Sequence, residues 1–86
     1  MHKSVEGEEF TIFSYSTSHL EYKDKIRFYY ALKGRDGKSG IINDYKIEQL
    51  GKTVLFVKLN QVEDVRQFLN QWKCEYHTKE VVVKNS

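Results

Sequence analysis

The chain has 86 residues, of which 40% are hydrophobic and 30% are charged, and its formal net charge is +2. This length is too short for two independent cores, so we expect one domain over residues 1–86, with a frayed segment at residues 1–8. The charge is too small to predict a committed nucleic-acid binder and leaves the class of partner open. No apolar run approaches the ~18 residues of a membrane span, so we expect no membrane partner.

The single cysteine, Cys74, excludes an intramolecular disulfide. Small secreted domains usually carry several disulfides, so their absence favours a reducing compartment. Residues 1–10 also lack the apolar segment of a signal peptide. We therefore expect an intracellular, cytoplasmic protein.

The first half of the chain has the composition of strands. Residues 9–16 (EFTIFSYS) are aromatic and β-branched, which predicts a first strand. Which side of it faces the core is ambiguous, because Phe10 and Ile12 share one side while Phe13 and Tyr15 share the other. After a polar loop, residues 25–33 (KIRFYYALK) alternate in polarity, which predicts a second, half-buried strand.

A glycine-rich turn follows at residues 34–40 (GRDGKSG). Its end resembles a phosphate-binding loop, but the pattern GxxxxGK[ST] requires glycine at position 32, where this chain has Leu32. Residues 41–50 fit a strand or a short helix, and alternating polarity favours the strand. Residues 53–59 (TVLFVKL) are almost entirely apolar, which predicts a central strand buried on both faces or nearly so.

An amphipathic helix is predicted over about residues 61–73. Its apolar residues fall on one helical stripe, namely Val62, Val65, Phe68, Leu69 and Trp72. Asn60 and Glu63 have the spacing of a capping box. Residues 74–84 then predict a last strand. The fold class is therefore α+β in the order β-β-β-β-α-β, a mostly antiparallel sheet with one helix packed on one face.

One helix covers only one face of such a sheet, so the other face must meet water, a second copy of the chain or another partner. On the strand predicted at 25–33 this open face would carry Arg27, Tyr29 and Lys33, and the adjacent turn adds Arg35 and Lys38. Aromatic rings between cations can stack bases and neutralise phosphates. A solvated sheet face is the simpler interpretation, and no RNP1-like string supports RNA binding.

Two more aromatic residues are candidates for a binding surface. Tyr45 belongs to a residue type that is enriched at protein interfaces. Trp72 ends the apolar stripe of the helix, so it is either part of the core or, where it is exposed, an anchor for a protein partner.

The residues do not point to a catalytic or metal site. Cys74 and His77 form a C-x-x-H pair, but on a strand these positions face opposite sides, and zinc needs four ligands. None of the carboxylates lies in an apolar segment that would shift its pKa towards neutrality. We therefore expect no enzyme, no catalytic residues, no metal and no cofactor.

The sequence thus favours a small non-enzymatic binding protein of the regulatory, inhibitor or adaptor type. It would contact another protein through the open sheet face and through an edge strand at residues 9–16. A homodimer through the open face is a further option. The alternative is an RNA or single-stranded DNA binding module that uses the basic and aromatic sheet face and the GRDGKSG turn.

Overall fold

A four-stranded antiparallel sheet supports three α-helices in the computed structural model, which describes residues 7–84. The strand order is β2-β3-β1-β4. The elements are β1 (Gly7–Tyr15), α1 (Tyr22–Lys33), α2 (Ile41–Asp44), β2 (Glu48–Gly51), β3 (Val54–Lys58), α3 (Val62–Gln71) and β4 (Tyr76–Lys84), with a 3₁₀ turn at Leu59–Gln61. The predicted α+β class with an antiparallel sheet is confirmed.

The predicted element order is wrong at residues 25–33, which belong to helix α1. Phe28 and Leu32, one helical turn apart, are both fully buried. A strand with the predicted alternation would bury Tyr30 with them, yet Tyr30 is 43% exposed. Gly34 ends the helix and donates its N–H to the Tyr30 carbonyl over 2.8 Å. The observed order of helices and strands is β-α-α-β-β-α-β.

Residues 41–50 contain both of the elements that their sequence allowed. Helix α2 occupies the first part and strand β2 the last part, so a strand over the whole segment is wrong. Between them Lys46 has a positive φ of 53°, and Ile47 turns into the core. The chain thus changes direction here and enters the sheet at its edge.

The predicted helix at about 61–73 is confirmed as α3, which buries Val62, Val65, Phe68 and Leu69. The predicted capping box is wrong. Asn60 lies inside the 3₁₀ turn, and α3 begins without a side-chain cap. Glu63 instead accepts a hydrogen bond from Arg66 Nε over 3.2 Å, a pair on the exposed side of the helix.

Strand β1 lies inside the sheet, so the prediction of an edge strand at residues 9–16 is wrong. It pairs with β3 on one side and along its whole length with β4 on the other. Gly7 and Glu8 belong to this ladder, which contradicts the predicted fraying of these two residues. The rest of that prediction, at residues 1–6, lies outside the described residues. Within residues 7–84, the edge strands of the sheet are β2 and β4.

The core lies between the helices and one face of the sheet, and Phe28 of α1 is at its centre. Its ring contacts those of Tyr15, Phe68 and Trp72 with centroid separations of 5.6, 5.4 and 5.6 Å. These contacts connect α1 to the sheet and to α3. Ile41 and Ile42 of α2 pack against the same core. All three helices therefore lie on one face of the sheet.

Candidate protein-binding face and basic cleft

The sheet face opposite the helices is apolar at its centre. On β1, Thr11, Phe13 and Tyr15 are buried under the helices, whereas Phe10 and Ile12 alternate with them and are only half-buried. This resolves the ambiguity of the strand at residues 9–16, since Phe13 and Tyr15 face the core. Phe10 and Ile12 belong to the other face, which we call the open face.

An aromatic pair forms the middle of the open face. Phe56 of β3 alternates with the buried Leu55 and Val57 and therefore points away from the helices. Its ring stacks on that of Phe10, with centroids 4.3 Å apart and planes inclined by 21°. Val81 of β4 lies directly opposite Phe10. The apolar residues of the open face are Phe10, Ile12, Val54, Phe56, Val81 and Val83.

Charged residues flank this patch in a regular way. Phe56 lies opposite Glu48 on β2 and opposite Ile12 on β1, and Ile12 lies opposite Lys79 on β4. Because directly opposite residues of antiparallel strands share a face, these four side chains form one row across the sheet. Glu48 and Lys79, which are both exposed, stand at its two ends. The row therefore runs from acidic through apolar to basic.

The open-face residues are not among the binding residues predicted from the sequence, although the sequence contains a signal for them. Strand β3 is apolar at four consecutive positions, Val54 to Val57. A core on one side of a sheet can bury only alternate positions, so one of the two sets must point away from the helices.

Three of the predicted binding residues lie on helix α1, so their assignment to the open sheet face is wrong. Arg27 and Lys33 are exposed, and Tyr29 is half-buried against the core. Tyr29 and Lys33 are four residues apart and share one side of the helix, whereas Arg27 lies away from them.

The GRDGKSG segment connects α1 to α2 and is held by one carboxylate. Asp36 accepts hydrogen bonds from the N–H groups of Ser39 and Lys38, at 2.9 and 2.8 Å, and from the Ser39 hydroxyl at 3.0 Å. These hydrogen bonds lower the pKa of the Asp36 carboxyl to about 2, and the bond from the Ser39 N–H makes the largest contribution. A phosphate-binding loop offers such N–H groups to its ligand, but here Asp36 already uses them. Arg35 lies over the Tyr30 ring, 5.0 Å from its centroid.

The remaining two predicted binding residues lie on the helical side of the molecule. Tyr45 is partly buried and packs against the core. Trp72 is also partly buried, in contact with Phe28, and its carbonyl oxygen lies 2.9 Å from His19 Nε2. Both rings therefore contribute to packing, and neither belongs to the open face.

A basic cleft separates α1 from the β2–β3 hairpin. It is open to solvent and has a volume of about 970 Å³. Lys25, Tyr29 and Lys33 line one wall at four-residue intervals, and the hairpin adds Lys52. No carboxylate side chain is among its lining residues within the described part of the chain. The cleft thus brings two of the predicted binding residues, Tyr29 and Lys33, together with two further cations.

Cys74 and His77 of the C-x-x-H pair do not form a common site. Cys74 is buried, and burial raises the pKa of its thiol. His77 is exposed on the open face, opposite Ser14. Within residues 7–84, no group of three or more His, Cys, Asp or Glu side chains is placed to hold a metal ion.

None of the helices described between residues 7 and 84 combines the length and the apolar character that crossing a membrane requires. Comparison with known protein families, curated proteins and solved structures finds no match to this chain.

Proposed function

We propose that this protein is a small non-enzymatic binding protein that contacts another protein through its open face. The observation that carries this proposal is the stack of Phe10 on Phe56, on the face opposite all three helices. Aromatic residues are enriched in the cores of protein interfaces. A contiguous apolar patch rimmed by charges is typical of a protein-interaction site.

The chemistry of the patch specifies a partner surface. The partner must supply an apolar centre that packs against Ile12, Phe56 and Val81 and excludes water. A partner with a cation near Glu48 and a carboxylate near Lys79 would also match the charged ends of the row. Strand β4, nine residues long, is an edge strand of the sheet within residues 7–84, and its outer edge offers main-chain groups for an added strand beside this face.

The test compares two lysine substitutions on opposite faces of the sheet. Ile12→Lys places a charge in the middle of the open face. Val82→Lys is the matched control, because Val82 is 57% exposed and alternates with the open-face residues Val81 and Val83. Tagged wild type and both variants are used to capture partners from nuclease-treated lysate, and captured proteins are identified by mass spectrometry.

Each identified partner, including a second copy of the chain, is then purified and titrated by calorimetry. We expect Ile12→Lys to weaken binding at least tenfold, because the charge must be desolvated in the interface, and Val82→Lys to leave the affinity unchanged. Equal affinities of wild type and a folded Ile12→Lys variant for the partner would overturn the proposal.

The basic cleft favours a second candidate function, binding of RNA or single-stranded DNA. Lys25, Lys33 and Lys52 could neutralise successive phosphates, and the Tyr29 ring between them could stack on a base. The GRDGKSG segment offers less for nucleic-acid binding than its sequence suggested, because the N–H groups of Lys38 and Ser39 are already hydrogen-bonded to Asp36.

A salt titration tests this second function. We expect the affinity for a fluorescent oligonucleotide to fall steeply between about 50 and 200 mM salt and to be lost when Lys25, Lys33 and Lys52 are all changed to Gln. A matched variant with Lys58, Lys79 and Lys84 changed to Gln removes the same charge from the sheet and should bind as the wild type does. Failure of the wild type to bind at low salt would exclude nucleic-acid binding by the cleft.

A further inference from the structure

We infer that the open face binds a second copy of this chain, as a face-to-face dimer in which Glu48 of each copy pairs with Lys79 of the other. This inference rests on the proposed function and names its partner. It is carried by the row Glu48, Phe56, Ile12, Lys79, which the strand register places at one level of the sheet.

The row is complementary to itself. The strand order β2-β3-β1-β4 places Glu48 and Lys79 at the two edges, with Phe56 and Ile12 between them. A two-fold axis parallel to the strands, midway between β3 and β1, turns β2 of one copy over β4 of the other. Glu48 then faces Lys79, and Phe56 faces Ile12. The same operation repeats both contacts, as a symmetric dimer requires.

The charges also select this axis over its alternative. A two-fold axis that crosses the strands at the level of the row would place Glu48 against Glu48 and Lys79 against Lys79. Like charges opposed in an interface are unfavourable. Stacked sheets lie about 10 Å apart, a gap that a glutamate and a lysine extended towards each other can bridge.

The next row fits the same arrangement. It contains Lys58, Phe10 and Val81 on β3, β1 and β4. The axis turns Lys58 over Phe10 of the other copy, where the lysine stem covers the ring and the ammonium reaches water. Four strands span only about 19 Å, so the interface is smaller than the standard size, and we expect a weak, reversible dimer.

Charge reversal tests the dimer, because its two contacts can be restored in trans. Sedimentation equilibrium from about 10 µM to 1 mM covers the range of weak interfaces. We expect the wild type to dimerise and Glu48→Lys or Lys79→Glu alone to weaken dimerisation at least tenfold, since each creates two like-charge contacts. Glu80→Lys is the control: it changes the neighbouring residue of β4, which faces the other side, and should dimerise as the wild type does.

A mixture of the Glu48→Lys and Lys79→Glu variants distinguishes this dimer from other modes of association. The lysine introduced in one chain would face the glutamate introduced in the other, and the second contact would remain Glu48 with Lys79. The mixture should therefore regain nearly wild-type affinity. A wild type that stays monomeric, single variants that dimerise normally, or a mixture that stays monomeric would each overturn the inference. The proposed function fails separately, when Ile12→Lys leaves the binding of an identified partner intact.

Discussion

The ring of Phe28 meets the indole of Trp72 edge to face, with centroids 5.6 Å apart and planes at 88°. Phe28 belongs to α1, and Trp72 follows the last turn of α3, so this contact joins the two longer helices. The same phenyl ring touches Tyr15 of the sheet. The Phe28 side chain therefore connects α1, α3 and the sheet, which together enclose the core. The open face lies on the other side of the sheet from these contacts.

This arrangement predicts very different costs for truncating two phenylalanines. Phe28→Ala removes a fully buried ring and should lower the free energy of unfolding by about 3–5 kcal/mol. Phe10→Ala, on the open face, removes a half-buried ring and should cost clearly less. Urea denaturation of both variants measures the difference. Equal losses would mean that Phe10 is as deeply buried as Phe28.

The sequence predicted α3 because its apolar spacing fits a helix and not a strand. Residues 25–33 carry a mixed signal. Their apolar positions alternate as in a strand, but Phe28 and Leu32 are also one helical turn apart. The competing position, Tyr30, is amphipathic and can remain exposed beside Arg35. Burial of the ring at position 28 against α3 decides the conformation, and that contact is not visible from the local pattern.

The open face could be predicted only in part. Alternation on β1 yields two apolar sides, Phe10 with Ile12 and Phe13 with Tyr15. Which side meets the helices depends on where β3 and β4 pair with it, and these pairings connect residues far apart in the chain. The row from Glu48 to Lys79 depends on the pairing of β1 with β3, of β1 with β4 and of β2 with β3. No local pattern in the sequence therefore reveals it.

The stack of Phe10 on Phe56 predicts a measurable coupling. We expect a double-mutant cycle with Phe10→Ala and Phe56→Ala to give an interaction free energy of about 0.5–1.5 kcal/mol, since the rings contact each other across the strands. The matched cycle pairs Phe10→Ala with Phe68→Ala, whose ring lies in the core on the other side of the sheet. Additive effects in the first cycle would contradict the stacked geometry.

Two glycines of the connection between α1 and α2 predict different costs of adding a methyl group. Gly34 and Gly37 both have positive φ, 84° and 75°. A Cβ at Gly34 would overlap the backbone of Ser39, whereas a Cβ at Gly37 meets nothing within 4 Å. Gly37→Ala should lower the free energy of unfolding by about 1–2 kcal/mol through backbone strain alone, and Gly34→Ala should lower it further. Thermal denaturation compares them, and a greater loss for Gly37→Ala would contradict the close approach of Gly34 to Ser39.

The hydrogen bonds to Asp36 predict an acid-sensitive connection between α1 and α2. Its folded pKa of about 2 lies below the ordinary 3.8, so the unfolded chain binds the proton more readily. The carboxylate therefore stabilises the fold fully above pH 3.8, and this contribution is lost as the pH falls towards 2. Asp36→Asn should be less stable than the wild type at about pH 6, and the difference should shrink over that window.

Carbon-13 NMR of the Asp36 carboxyl gives the midpoint directly, and urea denaturation from about pH 6 to pH 2 follows the difference in stability between wild type and Asp36→Asn. Asp64→Asn is the matched control, because Asp64 is an exposed aspartate in the first turn of α3 and lies outside this connection. The pH dependence of that variant should retain the contribution from Asp36. A carboxyl of Asp36 that titrates at its ordinary value would mean that the N–H groups of Ser39 and Lys38 are not bound to it in solution, and would leave them free for an anionic ligand.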